Sequence, residues 1–278
     1  MSDSYTRYFA EIYDDIMDAV PYDSWFNYLK DLINYYRADK ENILELACGT
    51  ANMTERLSRL KKVKHITAVD LSPEMLKKAV EKINTENTEV EFVQEDMKEI
   101  KFDKKFSLIV SFFDSINYLT EEEDLARLFN NAVGLLKQDG LFIFDMNSIG
   151  RINTIEEKKF VLEGKNYTCF WEDIVYRDKD IWQVRLKICL KGDNQPCFEE
   201  LHSEKGYKIK RVKQLLFENG FESVEVLNAF SFHKGKDSSK RLYFIASPQK
   251  ERLKNNRGIV KRLLFLLKND IKNIVSYI

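Results

Sequence analysis

The sequence predicts an α/β fold: a mostly parallel seven-stranded sheet with helices on both faces, an inserted antiparallel β-meander and an N-terminal helical cap. Three observations lead there. Short apolar runs alternate with helical patterns between Ile43 and Asp145, as a parallel sheet requires. A long period-two stretch, Trp182, Val184, Leu186, Ile188 and Leu190, then breaks that alternation. Ahead of both, aromatic residues recur at helical spacing from Tyr5 to Tyr36.

Each element follows in order. Residues 1–41 form the cap, with one helical stripe through Tyr8-Phe9, Ile12-Tyr13 and Ile16-Met17 and a second after Pro21 through Trp25-Phe26, Leu29 and Leu32-Ile33. Most of these rings are expected in the core. A helix ahead of the first strand would nevertheless lie across the open edge of the sheet where ligands bind. The core occupies 42–148 and 203–248, with strands expected at 43–47, 65–70, 90–94, 106–113 and 140–146. After the insertion at 149–202, a helix at Ile209–Asn219, stopped by Gly220, leads into two last strands near 222–232 and 241–247. The tail, 249–278, reads as a basic amphipathic helix. Its stripe through Leu263-Leu264, Leu267 and Ile271 is too interrupted by charge to span a bilayer. Contact of 257–278 with a membrane surface is the less favoured reading; packing on the core or on a second subunit is preferred.

Composition narrows the function. Forty-four basic residues balance 45 acidic ones, leaving a net charge of −1 and no general pull toward nucleic acid or membrane. The polar start Met1-Ser2-Asp3-Ser4-Tyr5 begins no export segment, so a cytoplasmic protein is expected. Cys48, Cys169, Cys189 and Cys197 lack C-x-x-C spacing; neither a zinc site, a redox pair nor a disulfide framework is expected. His65, His202 and His233 are scattered and form no recognisable group.

The informative stretch is Ile43 to Asp70: a strand, the turn Ala47-Cys48-Gly49-Thr50-Ala51-Asn52, a helix, and a second strand ending on a carboxylate. Such a unit holds a nucleoside, the turn presenting backbone N–H groups and the acid accepting ribose hydroxyls. Only one glycine of a G-x-G-x-x-G pattern is present, which argues against a pyrophosphate and hence against a dinucleotide dehydrogenase. Glu45, at the strand end, would repel a diphosphate and attract a cation or an amino group. S-adenosylmethionine carries a sulfonium, an ammonium and a ribose, and suits both acids. As simpler readings, Glu45 is a solvated or capping residue and Ser72-Pro73 a helix start, although a cap there and a ligand-facing Asp70 are compatible.

These residues resemble the class I S-adenosylmethionine-dependent methyltransferases, whose fold is Rossmann-like. Glu45 to Asn52 is similar to that family's first motif, Asp70-Leu71-Ser72-Pro73-Glu74-Met75 to the second, and Glu95-Asp96-Met97 to the third. Phe106 to Asp114 resembles the fourth strand, and Leu136-Lys137-Gln138-Asp139-Gly140 the turn into the fifth. Five motifs in order and spacing cover roughly residues 1–248; Ala51 for the usual glycine is the main departure. The resemblance implies Glu45, Ala47, Gly49 and Met97 at the cofactor, Asp70 on the ribose, Leu71 and Met75 flanking the adenine, Asp96 facing the adenine amino group, and Phe112 at the end of strand four. The run Tyr13-Asp14-Asp15-Ile16-Met17 resembles the N-terminal segment of N-methyltransferases acting on amino sugars and glycine, which implies Tyr13 near the transferred methyl and Tyr22 or Trp25 closing over the cofactor.

After strand four, Asp114 and Asn117 offer acceptors at the right sheet edge, while Tyr118 would bind or pack; a helix cap is the simpler reading for Asp114-Ser115. No metal-ligand constellation is apparent, so metal-independent transfer is expected. The sequence thus points to methylation of a small molecule, at an amine before a hydroxyl, with a possible homodimer. A small-metabolite O-methyltransferase and a non-catalytic S-adenosylmethionine-binding protein are the alternatives.

Overall fold

The computed structural model describes residues 5–192 and 196–254; the amphipathic stripe expected after residue 257 lies outside the described residues. The first half of the chain runs α1 (Arg7–Ile16), α2 (Tyr22–Tyr36), β1 (Asn42–Leu46), α3 (Asn52–Ser58), β2 (His65–Asp70), α4 (Pro73–Lys82), β3 (Glu89–Gln94), β4 (Phe106–Ser111), α5 (Glu122–Leu135) and β5 (Leu136–Asn147). It continues with α6 (Ile149–Asn153), β6 (Lys159–Glu163), β7 (Tyr167–Tyr176), β8 (Ile181–Leu190), β9 (Cys197–Lys205), α7 (Ile209–Glu218), β10 (Ser223–Asn228) and β11 (Arg241–Ser247).

Seven strands form one sheet in the order β10-β11-β5-β4-β1-β2-β3. Strands β1 to β5 pair in parallel, and β11 is antiparallel to both β5 and β10. Leu44, Ile43, Leu108 and Ile109 are buried, so β1 and β4 are covered on both faces, as central parallel strands must be. One face packs against α2 and α3 through Leu29, Leu32 and Leu57; the other packs against α5 and α7 through Leu128, Phe129 and Leu216. Strand order reverses between β1 and β4, and the crevice beyond their C-terminal ends is where this architecture places ligands.

A second, antiparallel sheet, β6-β7-β8-β9, is the expected insertion. Its alternation buries Val184, Leu186 and Ile188 with Cys169 against Phe9 and Ile12 of α1, so the insertion and the cap share one core.

Four expectations need correction. β5 begins at Leu136, because the expected turn residues already pair with Phe106 before a bulge. β4 ends at Ser111, because Phe113 and Asp114 turn into the left-handed region at φ 58° and 55°. β9 runs to Lys205, three residues beyond the expected boundary of the insertion. Finally, Cys189 and Cys197 are joined as a disulfide, because the antiparallel register of β8 and β9 sets them directly opposite. Spacing of eight residues carries no hint of that register. Among the described residues no helix is long and apolar enough to cross a membrane.

Candidate active site

A cavity of about 350 Å³ opens beyond the C-terminal ends of β1, β2 and β4, within the usual range for small-molecule sites. Its floor is the β1 turn. Ala47, Gly49 and Ala51 all adopt positive φ, at 55°, 55° and 66°, so a turn normally made by glycines is made here with two alanines. Each alanine costs roughly 1 kcal/mol in that conformation. Hydrogen bonds hold the turn against β2: the Cys48 N–H donates to the Val69 carbonyl at 2.9 Å, and the Gly49 N–H to Asp70 Oδ2 at 2.7 Å. Asp70 Oδ1 also accepts from the Ser72 N–H at 2.9 Å, and Ser72 caps α4 by accepting from the Met75 N–H. The Leu71 N–H also stabilises the carboxylate, and its two oxygens, with about four acceptor positions, can still take a further donor.

Glu45, Ala47, Gly49 and Asp70 all line the cavity, as do Leu71, Asp96, Met97 and Phe112. Met75 does not; it is buried with Phe9 and Ala10 beneath α1. Glu45 is only 2% exposed, and its Oε2 is buried without a hydrogen-bond partner. Burial drives its carboxyl up to about 8, with Thr54 opposing and Asp70 adding to the rise. An unpartnered buried acid calls for a donor, and an ammonium group supplies one.

The cap supplies the roof. Tyr13 and Tyr22 both line the cavity. Asp14 fastens α1 to the turn, accepting from the Thr50 hydroxyl at 2.6 Å and from Asn52 Nδ2 at 2.9 Å while pairing with Lys82 at 2.5 Å. Burial raises the Tyr13 phenol well above its ordinary range and the Tyr22 phenol to about 12, so both remain hydroxyls at neutral pH.

Beyond β4 the site departs from expectation. Asp114 and Asn117 are not among the lining residues; Phe113, Ser115 and Tyr118 of the same turn are. Asp114 is drawn into a framework, with Oδ1 at 2.9 Å from Arg241 and Oδ2 accepting from Asn147 at 2.7 Å. Asn117 is fully buried, its amide donating to the carbonyls of Asn147 and Lys205 and accepting from the Asn147 N–H. The cause is Asp145 on β5. Its oxygens accept the N–H groups of Phe113 at 2.8 Å and Asp114 at 3.1 Å, fixing both residues in their left-handed conformation, and it pairs with Arg241. Burial outweighs that guanidinium and lifts the Asp145 carboxyl to about 6. Tyr5, from the segment before α1, also faces the cavity. Nothing in the sequence near residues 114–118 signals Asp145, Arg241 or Tyr5.

Residues 43–140 match the family described as Methyltransferase domain. A protein of Geobacillus sp. (strain WCH70) that carries a methyltransferase name is 32% identical over 86% of this chain and 97% of its own length. The chain belongs to the S-adenosylmethionine-dependent methyltransferases. The crystal structure of such a methyltransferase from Clostridium acetobutylicum ATCC 824 superposes with a TM-score of 0.75 at 28% identity, covering 87% of this chain and 98% of that one. The sugar N-methyltransferase KedS8 from Streptoalloteichus sp. ATCC 53650 shares the fold, with a TM-score of 0.68 at 18% identity over 84% and 90% of the two chains. The cofactor of this methyltransferase is S-adenosylmethionine. The site fits it: a bare buried acid at Glu45 for the ammonium, spare acceptor capacity on Asp70 for a ribose hydroxyl, and aromatic walls for a sulfonium.

Proposed function

We propose that the methyl acceptor is an amine of a small molecule. One observation supports this above others: among the described residues the lining holds four acids, Glu45, Asp70, Glu95 and Asp96, of which Glu45 keeps its proton up to about 8 until a cation displaces it, against a single ammonium, Lys98. That ammonium is engaged, 3.0 Å from Asp124 and 3.6 Å from Asp96. An acidic, aromatic cavity attracts a cationic or amino substrate and disfavours a carboxylate, to which its lining offers no side-chain cation besides the engaged Lys98. Relatives include a Bacillus cereus protein named malonyl-[acyl-carrier protein] O-methyltransferase, 33% identical over 137 residues, 45% of this chain and 48% of its own length, so O-methylation is the reading to be tested against.

S-adenosylmethionine supplies a methyl group made electrophilic by its sulfonium. The chain's part is to hold the partners in line and keep water out. Glu45 would take the amino group, Asp70 the ribose, and Asp96 with Met97 and Leu71 the adenine. Tyr22 and the Asp14 latch would close over them, with Phe112 and Tyr13 against the reacting centre. Because its phenol stays protonated, Tyr13 would direct its oxygen lone pairs, not a negative charge, at the methyl hydrogens.

The test is turnover of S-adenosylmethionine to S-adenosylhomocysteine by the full chain with a panel of amino sugars and amino acids, beside matched carboxylates and alcohols. Turnover confined to amines is expected. Turnover confined to carboxylates or hydroxyls would overturn the amine reading.

A further inference from the structure

His202, one of three histidines scattered along the sequence, has no part in holding the cofactor. The fold carries it, on β9, to the wall behind the cavity, where it is 6% exposed. Its Nδ1 lies 3.1 Å from the Tyr118 hydroxyl, and its Nε2 lies 3.1 Å from Glu200 Oε2. Glu200 is 2% exposed and also receives the N–H groups of Tyr5 and Thr6, each at 2.8 Å, and the Thr6 hydroxyl at 2.5 Å. Three donors, two N–H groups and a hydroxyl, already converge on that carboxylate, so it serves as an acceptor and His202 carries its proton on Nε2. Nδ1 is then bare and accepts from Tyr118. On the other side, the Tyr5 hydroxyl donates to the Tyr118 oxygen at 2.9 Å. The Tyr118 hydroxyl thus donates its hydrogen bond to His202 and accepts from Tyr5 on one lone pair. Its second lone pair is left for the cavity that the ring lines.

We infer that Tyr118 accepts the proton of the incoming ammonium, with His202 and Glu200 as positioning residues that take up the displaced hydroxyl proton. The inference rests on the amine reading. In the step, the ammonium N–H bond breaks and its proton joins Tyr118 Oη as the original hydroxyl proton passes to His202 Nδ1. The result is a neutral amine with its electron pair free, an intact phenol, and an imidazolium paired with Glu200. Burial pushes the Tyr5 and Tyr118 phenols well above their ordinary range, which suits a relay in which neither becomes phenolate. The groups facing this chain are Glu204 on β9, Asp114 on the β4 turn, Tyr5 and Tyr13 from the cap, and Cys169 on β7 beside Glu200; β8 contributes Val184 opposite His202.

The chain has three histidines, so long-range proton–nitrogen spectra of the labelled full-length protein with S-adenosylhomocysteine assign His202 by loss of one ring in His202→Gln. The expected spectrum shows protonated Nε2 and bare Nδ1, with the Nδ1 resonance displaced in Tyr118→Phe. A proton on Nδ1, or no response to Tyr118→Phe, overturns the relay whatever the acceptor. With an amine from the panel, His202→Gln should lower kcat by roughly tenfold or more, the equivalent of ~1.4 kcal/mol, with KM for S-adenosylmethionine little changed. An unchanged kcat in His202→Gln, or a loss confined to KM, overturns the relay. If His202→Gln does not fold, Tyr118→Phe carries the same kinetic test. Failure of every amine would count against the amine reading alone, leaving the spectra to decide the relay.

Discussion

The two ends of this active site are built on different length scales. At the cofactor end, Gly49 and Asp70 meet across 21 residues, and the whole β1 turn is fixed by its own strand, the next strand and the capped helix that follows. At the acceptor end, Tyr5 reaches Glu200 across 195 residues and Arg241 reaches Asp114 across 127. The first is a local device that any chain with the motif can make. The second exists only when cap, core, insertion and last strand have assembled, so it is free to differ between relatives that share a cofactor but not an acceptor.

The contrast predicts unequal responses to substitution. The largest is at Asp145, where Asp145→Ala removes one carboxylate from two backbone N–H groups and a guanidinium. We expect about 3 kcal/mol of lost stability in urea unfolding; a loss below ~0.5 kcal/mol would mean that Asp114 alone holds Arg241 and that the acceptor corner is less coupled than described. Next is Asp70→Ala, which should weaken S-adenosylmethionine binding by more than roughly tenfold, read by calorimetry. Unchanged affinity would remove Asp70 from the ribose. Tyr13→Phe should lower turnover several-fold, on the order of a lost weak contact of ~1 kcal/mol, with cofactor affinity intact. A fully active variant would demote Tyr13 to packing.

The smallest effect concerns pH. Without cofactor, the Glu45 carboxyl sits at about 8, above its usual value, so the folded chain holds this proton where the unfolded chain releases it. The contribution to stability is therefore full below the unfolded value and is lost as pH rises from about 5 toward 8. A cationic ligand favours the carboxylate, so binding at neutral pH should release a proton and tighten as pH rises. Glu45→Gln should abolish both trends. Calorimetry in buffers of different ionisation heat reads the proton directly; zero release by the wild type would take Glu45 away from the ammonium.

How far the sequence could be read follows from the same contrast. The alternation of parallel strands with helices was legible because period is a local property of the chain, and the motif residues Glu45, Ala47, Gly49 and Asp70 do line one cavity. Asp114 and Asn117 were misplaced because strand four ends in two left-handed residues held by Asp145, a contact over 31 and 32 residues that no local pattern announces. Met75 was placed on the cofactor because its motif position faces the ligand, whereas α1 covers it here. Tyr5, His202 and Glu200 escaped notice because register, not spacing, brings them together, and the Cys189–Cys197 bridge was hidden for the same reason.

The central claim is that the β1–β2 unit holds S-adenosylmethionine through its two acids. It is tested most directly by titrating the purified chain with S-adenosylmethionine and S-adenosylhomocysteine in a calorimeter, with NAD as control. Micromolar binding of both sulfur ligands and none of NAD is the predicted result. Silence toward the sulfur ligands, or binding of NAD in their place, would contradict it.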